Sequence, residues 1–156
     1  MTEEDAMRRA IEVARRGIAE GQSPFGAAII RGDELIAAAH NTVWRDGDPT
    51  AHAEVNAIRA AARALGTIDL SGTTLCSTCE PCPMCLAATH WARVDRVVFG
   101  ARIADAAAAG FRELAVDAAL LAKLGKSPLV VRGGLLSAEA AGLFDEWRAA
   151  PRPETY

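Results

Sequence analysis

The chain has 156 residues, of which 51% are hydrophobic and 24% are charged, and its formal net charge is −3. This balance is typical of a globular protein with an apolar core, and the length suits a single domain over residues 1–156. The negative net charge excludes a global positive field that would attract nucleic acid. Charged residues or glycines interrupt the apolar runs well before the roughly 20 residues of a membrane span, and the acidic N-terminus is unlike a signal peptide. We therefore predict a cytoplasmic protein.

The pattern of apolar residues predicts alternating helices and strands. Helical spacing indicates the helices, and short apolar runs bounded by polar residues or glycines indicate the strands. The predicted helices cover 4–19, 50–65, 83–91, parts of 101–124, and 137–148. The predicted strands cover 25–30, 35–39, 73–76, 94–99 and 129–131. Five short strands among helices predict an α/β fold, a three-layer α/β/α sandwich around a five-stranded mixed sheet.

Residues at the predicted helix ends fit these boundaries. Thr50 and Ser137 are good N-cap residues, because a hydroxyl can accept a hydrogen bond from a free backbone N–H of the first turn. Gly66 is expected to end the second helix, and Gly110 to interrupt the alanine-rich segment. Pro83 suits the first turn of its helix, where its missing N–H would have no partner.

The four cysteines, Cys76, Cys79, Cys82 and Cys85, lie within ten residues. A disulfide framework spreads cysteines along the chain, so this cluster favours metal binding in a reducing compartment. The even spacing resembles an iron–sulfur run, but the bacterial ferredoxin run ends with a different spacing and Cys-Pro. We interpret Cys76 as a core residue and Cys79 as a buried thiol or a neighbour of the metal ligands.

His52-Ala-Glu54 and Glu80-Pro-Cys82-Pro-Met-Cys85 together predict a zinc site. Cys82 and Cys85 are three residues apart at the start of a predicted helix, so both thiols can face one point, and the helix N-terminus favours the thiolates that bind metal. His52, in the first turn of its own helix, would be the third ligand. Three protein ligands leave one position for water, which is typical of a catalytic site with one Zn²⁺ per chain.

Glu54 lies two residues beyond His52, where it cannot be an equivalent ligand but can reach a zinc-activated water. A carboxylate there can move a proton from water to a leaving group, so hydrolytic chemistry is predicted. The competing interpretations are a redox pair, half of a structural zinc site, or a non-catalytic zinc-stabilised binding module with Cys79 as the fourth ligand.

The stretches 48–55 and 79–86 resemble the cytidine-deaminase-like superfamily, whose zinc-deaminase signature they carry. The resemblance extends over nearly the whole chain. Trp91, the Gly110-Phe-Arg-Glu113 segment and the terminal Tyr156 favour the guanine deaminase branch. This resemblance implies a hydrolase that converts a free purine base, guanine, to xanthine and ammonia.

The resemblance also implies a role for each site residue. His52, Cys82 and Cys85 would be the zinc ligands, Glu54 the proton shuttle and Glu113 a second catalytic acid. Substrate contacts are expected from Phe25, Asn41, Ala53, Trp91 and Tyr156, with the tail 149–156 covering the active site. Arg112 departs from the family pattern, where an aspartate is expected, so the group that binds the substrate there is left open.

Several alternatives stay open. Guanosine, ammeline or cytosine could be the substrate, and a tRNA adenosine deaminase shares the zinc motifs and the strand around 96–102. The acidic composition and the lack of a basic C-terminal helix argue against a nucleic acid partner. The resemblance implies a homodimer, with exchange of C-terminal segments between subunits as one arrangement.

Overall fold

The computed structural model describes residues 1–151 and 153–156. Its strands are β1 (Gly26–Arg31), β2 (Glu34–His40), β3 (Thr74–Cys79), β4 (Arg96–Ala101) and β5 (Val130–Gly133). They form one sheet in the order β2-β1-β3-β4-β5. β1 is antiparallel to β2 and β3, whereas β3, β4 and β5 are parallel. The predicted five-stranded mixed sheet is confirmed.

The helices cover both faces of this sheet. They are α1 (Glu3–Ala19), α2 (Val43–Asp46), α3 (Ala53–Leu65), α4 (Pro83–Trp91), α5 (Ile103–Ala108), α6 (Ala118–Leu124) and α7 (Ser137–Arg148). α1 and Leu143 of α7 pack with Val98 in one core, and α3, α4 and α6 pack with Val97 in another. The three-layer sandwich is therefore confirmed, and α2 is a short helix that the sequence pattern did not indicate.

Strand β3 is longer than predicted. It continues beyond Cys76 to Cys79, because its parallel pairing with β4 extends to Ala101. Cys76 is fully buried in the core beneath α1, as predicted. The longer strand brings Ser77 and Cys79 to the edge of the sheet from which α4 starts.

Two predicted helix caps are wrong. Thr50 does not begin α3: its N–H and hydroxyl both donate to the Asp48 carboxylate, at 2.8 and 2.7 Å, and His52 is the N-cap. α7 begins after Leu136, whose φ of 50° lies in the left-handed region, so Ser137 is already helical. Gly66 ends α3 as predicted, with a φ of 65° that a glycine adopts without strain.

Within the described part of the chain, no helix is both long and apolar enough to cross a membrane.

Candidate metal centre

Two helix N-termini converge at the carboxyl end of β3. His52 is the N-cap of α3, Cys82 is the N-cap of α4, and Cys85 lies in the first turn of α4. His52 Nδ1 is 3.7 Å from Cys82 Sγ and 3.4 Å from Cys85 Sγ, and one donor atom from each residue lies within 4.8 Å of the others. The structure thus brings the three predicted ligands together. One imidazole nitrogen and two sulfurs fit a zinc ion that keeps a fourth position free.

The pKa values of the two cysteines shift in opposite directions, so that Cys82 is the thiolate and Cys85 the thiol. The Cys85 thiol donates a hydrogen bond that lowers the pKa of Cys82 to about 4, assisted by His52 and opposed by burial. The same bond, together with burial, raises the pKa of Cys85. Burial acts to lower the pKa of His52, but the Cys82 thiolate and Glu54 raise it overall. Metal binding requires both thiolates and therefore releases protons from this cluster.

Glu54 is a buried carboxyl group beside the three donors. It lies in the first turn of α3, where Ser77 Oγ donates to its Oε1 at 3.2 Å and the Cys85 Sγ lies 3.5 Å from its Oε2. Burial raises the pKa of Glu54, and the Cys82 thiolate adds to this effect. A carboxyl group with a raised pKa can hold a proton and release it, which is the property of a general acid–base residue.

A small cavity adjoins the metal cluster and Glu54. Phe25, Asn41, Glu113 and Tyr156 line it. Asn41 is fully buried, and its Oδ1 accepts a bond of 3.0 Å from the backbone N–H of Val43, which fixes the orientation of the amide. Its Nδ2 donates to the Tyr156 hydroxyl at 2.6 Å. The cavity measures about 20 Å³, enough for water but not for a nucleobase, while Tyr156 lies in it.

Tyr156 forms part of the wall of this cavity and packs beside the metal cluster. The Tyr156 ring is 5.6 Å from the rings of both His52 and Phe111, measured between centroids. A main-chain oxygen of Tyr156 accepts a hydrogen bond of 3.2 Å from the backbone N–H of Arg112. Burial raises the pKa of Tyr156, so its hydroxyl stays protonated. Arg152, within the predicted tail, lies outside the described residues.

Glu113 lies on the connection between α5 and α6 and is partly buried. Burial raises its pKa, and the nearby Cys82 thiolate contributes. The structure therefore places a second carboxyl group at the cavity, as the sequence predicted. Ala53, the first residue of α3, is fully buried between His52 and Glu54.

Trp91 lies outside the cavity, contrary to the prediction that it helps to shape the pocket. It is 81% exposed and lines a separate surface cavity with Ile68 and Val94. The reason is the direction of α4, which starts at the metal cluster and carries Trp91 in its last turn. At 1.5 Å per residue, this helix separates its two ends by about 13 Å.

Cys79 is buried, and burial raises the pKa of its thiol well above the usual value. Its Sγ lies 3.5 Å from the carbonyl oxygen of Arg102, to which it donates. It is thus the buried thiol that the sequence predicted, and the three-donor group among the described residues consists of His52, Cys82 and Cys85.

Sequence reasoning missed two polar residues of the site. Ser77 holds the Glu54 carboxylate, and Glu80 lines the cavity with a carboxylate that accepts two backbone hydrogen bonds. The extension of β3 was the missing information for Ser77. For Glu80, its place in the zinc motif was a signal, but spacing alone did not show where its side chain points.

Comparisons with known proteins agree with this geometry. The family described as "Cytidine and deoxycytidylate deaminase zinc-binding region" matches residues 1–101. Over 112 residues the chain is 46% identical to guanine deaminase of Bacillus subtilis (strain 168), covering 71% of this chain and 72% of that protein. Over 102 residues it is 44% identical to the tRNA-specific adenosine deaminase of the same organism, covering 65% of this chain and 63% of that protein.

A solved structure extends the similarity over nearly the whole chain. The guanine deaminase from Nitrosomonas europaea superposes with a TM-score of 0.86 at 34% sequence identity. The superposition covers 94% of this chain and 85% of that protein.

Proposed function

Because the chain belongs to the cytidine and deoxycytidylate deaminase zinc-binding family, we propose that it hydrolyses guanine to xanthine and ammonia as a single domain over residues 1–156. One observation carries this proposal. The buried Glu54 carboxyl group lies beside the three-donor metal centre and faces a cavity lined by Phe25, Asn41 and Glu113. The identity to guanine deaminase favours guanine among the nucleobases.

His52, Cys82 and Cys85 would hold the zinc ion, and the bound ion would act as the Lewis acid that activates water. Glu54 accepts a proton from the attacking water and passes it to the ring nitrogen beside C2. Glu113 protonates the amine as the C2–N bond breaks, and the second proton of the attacking water leaves the oxygen on C2, which becomes a carbonyl, and restores the Glu113 acid. The oxygen of water thus replaces the exocyclic amine, which leaves as ammonia, and two carboxyl groups with raised pKa values share the acid and base steps.

The substrate would be held by the groups that now surround Tyr156. The Asn41 amide, fixed by Val43, can donate to a purine oxygen or nitrogen through Nδ2. Phe25 offers an aromatic face, and it is itself braced edge-on by Phe111 at 4.9 Å. Ala53, which lies between the zinc ligand His52 and the proton shuttle Glu54, would contact the substrate through its backbone.

The tail 149–156 would act as a gate over this cavity. The Tyr156 hydroxyl accepts the hydrogen bond that the Asn41 amide would otherwise donate to a substrate. Its ring also leaves too little space in the cavity for a nucleobase, so substrate entry requires the tail to move. Deleting Thr155 and Tyr156 should change KM and kcat for the substrate while zinc content stays the same. Unchanged kinetics would remove the tail from the site.

A tRNA adenosine deaminase is the second candidate, and one observation favours it. Four arginines, two of them on α3, line a surface cavity of about 510 Å³ between α1, β2 and α3, although Glu20 and Asp46 also lie there. The cavity is lined by Arg16, Arg45, Arg59 and Arg63. Such a local cationic surface can bind phosphates even in a protein of negative net charge.

The test is an ammonia-release screen of zinc-loaded protein, with zinc content measured on the same sample. The substrates are guanine, guanosine, adenine, cytosine, cytidine and ammeline, together with a tRNA that carries adenosine at the wobble position. We expect guanine to give the highest kcat/KM. Inosine formation in tRNA without ammonia from guanine would overturn the proposal in favour of the second candidate.

We also propose that the protein is a cytoplasmic homodimer. The metal ligands include two thiols, which stay available in a reducing compartment. Ile68 and Trp91 are large apolar side chains that are largely exposed and line the same surface cavity, and a contiguous exposed apolar patch is a feature of association surfaces. The mass of the protein in solution tests the dimer, and a monomer at micromolar concentration would contradict it.

A further inference from the structure

Glu80 is a buried carboxylate that the proposed reaction does not use. Its Oε2 accepts a hydrogen bond of 3.2 Å from the backbone N–H of Ile103, and its Oε1 accepts one of 2.9 Å from the backbone N–H of Ala118. These donors are 23 and 38 residues away in sequence. Ile103 is the first residue of α5 and Ala118 the first residue of α6. One side chain therefore joins the starts of two helices.

The backbone of Glu80 is also fixed. Its N–H donates to the carbonyl oxygen of Ala101 at 2.8 Å, which continues the pairing of β3 and β4. Two residues later, Cys82 begins α4 as a candidate zinc ligand. Glu80 thus lies between the rigid sheet and the metal centre.

The segment that Glu80 holds is the one that carries Glu113. Residues 109–117 connect α5 to α6, and 111–117 have no regular secondary structure. Within this segment Glu113 N–H bonds to Phe111 and Val116 N–H bonds to Leu114, each only two residues back. Such short-range bonds cannot fix a loop relative to the metal centre, and the long-range backbone bond of the segment, from the Arg112 N–H to Tyr156, joins it to the tail and not to the zinc ligands. The two Glu80 bonds anchor the helix starts that precede and follow the loop, and they do so from the turn that leads to Cys82.

We propose that Glu80 is a positioning residue that fixes the 109–117 segment, and with it the Glu113 carboxyl group, at a set distance from the zinc ligands. The inference deepens the proposed function and rests on it, since Glu113 is the second acid there. A carboxylate suits the task because each oxygen accepts one backbone N–H, and its charge favours the N-terminal ends of both helices. An amide could satisfy only one of the two donors through its single oxygen.

The test uses Glu80→Gln in the zinc-loaded protein, which keeps the size of the side chain. We expect unchanged zinc content and a fall in kcat/KM of about ten- to a hundredfold, because small displacements of a catalytic group have effects of this order. In a Glu113→Gln background, Glu80→Gln should change kcat/KM by less than about twofold, since its effect passes through Glu113. A purely structural role would reduce activity equally in both backgrounds.

Asp95→Asn is the matched control. The Asp95 carboxylate also accepts a hydrogen bond from a distant backbone N–H, that of Gly72 at 3.1 Å, but it precedes β4 at the end of the sheet away from the metal ligands. This variant should leave zinc content unchanged and kcat/KM within about twofold of the wild type.

Residue-resolved amide hydrogen exchange tests the same inference without substrate. In the wild type the Ile103 and Ala118 amides should exchange as slowly as those of β4, and in Glu80→Gln they should exchange at least about tenfold faster. Fast exchange of both amides in the wild type overturns the proposal, even where Glu80→Gln fails to fold. Wild-type kcat/KM in Glu80→Gln, or an equal loss in both backgrounds, also overturns it. Ammonia release by the wild type tests the proposed function separately.

Discussion

Two pairs of cysteines with the same spacing behave differently in this protein. Cys76 and Cys79 lie on strand β3 and are buried in separate apolar clusters, where burial raises the pKa of both thiols. Cys82 and Cys85 lie at the start of α4 and face His52. A spacing of three places side chains on one face of a helix but not of a strand. The change from strand to helix at Pro81 and Pro83 therefore decides which pair can bind zinc.

The largest difference between the pairs should appear in zinc content. Cys82→Ser removes a ligand, so the protein should lose its zinc and its kcat/KM should fall by more than about a thousandfold. Cys76→Ala is the control and should retain one zinc per chain and its activity. Metal analysis and ammonia release on both variants check this. Zinc bound to Cys82→Ser but lost from Cys76→Ala would reverse the assignment.

Thiol reactivity should separate the pairs next. In protein freed of zinc by a chelator, Cys82 has a pKa of about 4 because Cys85 and His52 stabilise its thiolate, whereas burial raises the pKa of Cys76 to about 12. Since the thiolate is the nucleophile, iodoacetamide at about pH 7 should alkylate Cys82 at least about a hundredfold faster. Peptide mass spectrometry measures both rates. Equal rates in the folded, zinc-free protein would contradict the comparison.

The smallest effect concerns stability at high pH. Burial, and then the Glu3 carboxylate, raises the pKa of Cys76 from 9.0 to about 12, so the folded state favours the protonated thiol. This contribution is fully present below pH 9.0 and is lost as the pH rises towards 12. Between about pH 8 and pH 10.5, the wild type should lose about 2 kcal/mol more of its unfolding free energy than Cys76→Ala. Urea unfolding at both pH values tests this, and parallel losses would contradict it.

Much of the fold could be predicted from the sequence because its signals are local. The hairpin of β1 and β2 follows from two apolar runs around a polar turn, and α4 follows from Pro83 at its first position. The caps at Thr50 and Ser137 failed because a nearby Asp48 carboxylate and a left-handed Leu136 offered alternatives. The intrinsic preference of Thr50 and Ser137 for N-cap positions did not show which residue would begin each helix.

The site divides in the same way. The metal ligands and Glu54 come from short motifs whose spacing acts within one turn of helix, and the structure brings them together. The positions of the Trp91 and Glu80 side chains depend instead on where whole helices and strands begin and end. Trp91 lies at the end of α4 that is far from the metal centre, and the hydrogen-bond partners of Glu80 lie on α5 and α6. Spacing along the chain contains no information on such long-range placement.

The most direct test of zinc-dependent guanine deamination with Glu54 as the proton shuttle is the initial rate of ammonia release from guanine. It is measured for zinc-loaded wild type and Glu54→Gln, with zinc content determined on both. The wild type should release ammonia with one zinc per chain. Glu54→Gln should keep its zinc and lose at least about a hundredfold in kcat, because the buried carboxyl group moves the proton. Full activity of zinc-loaded Glu54→Gln would contradict the account.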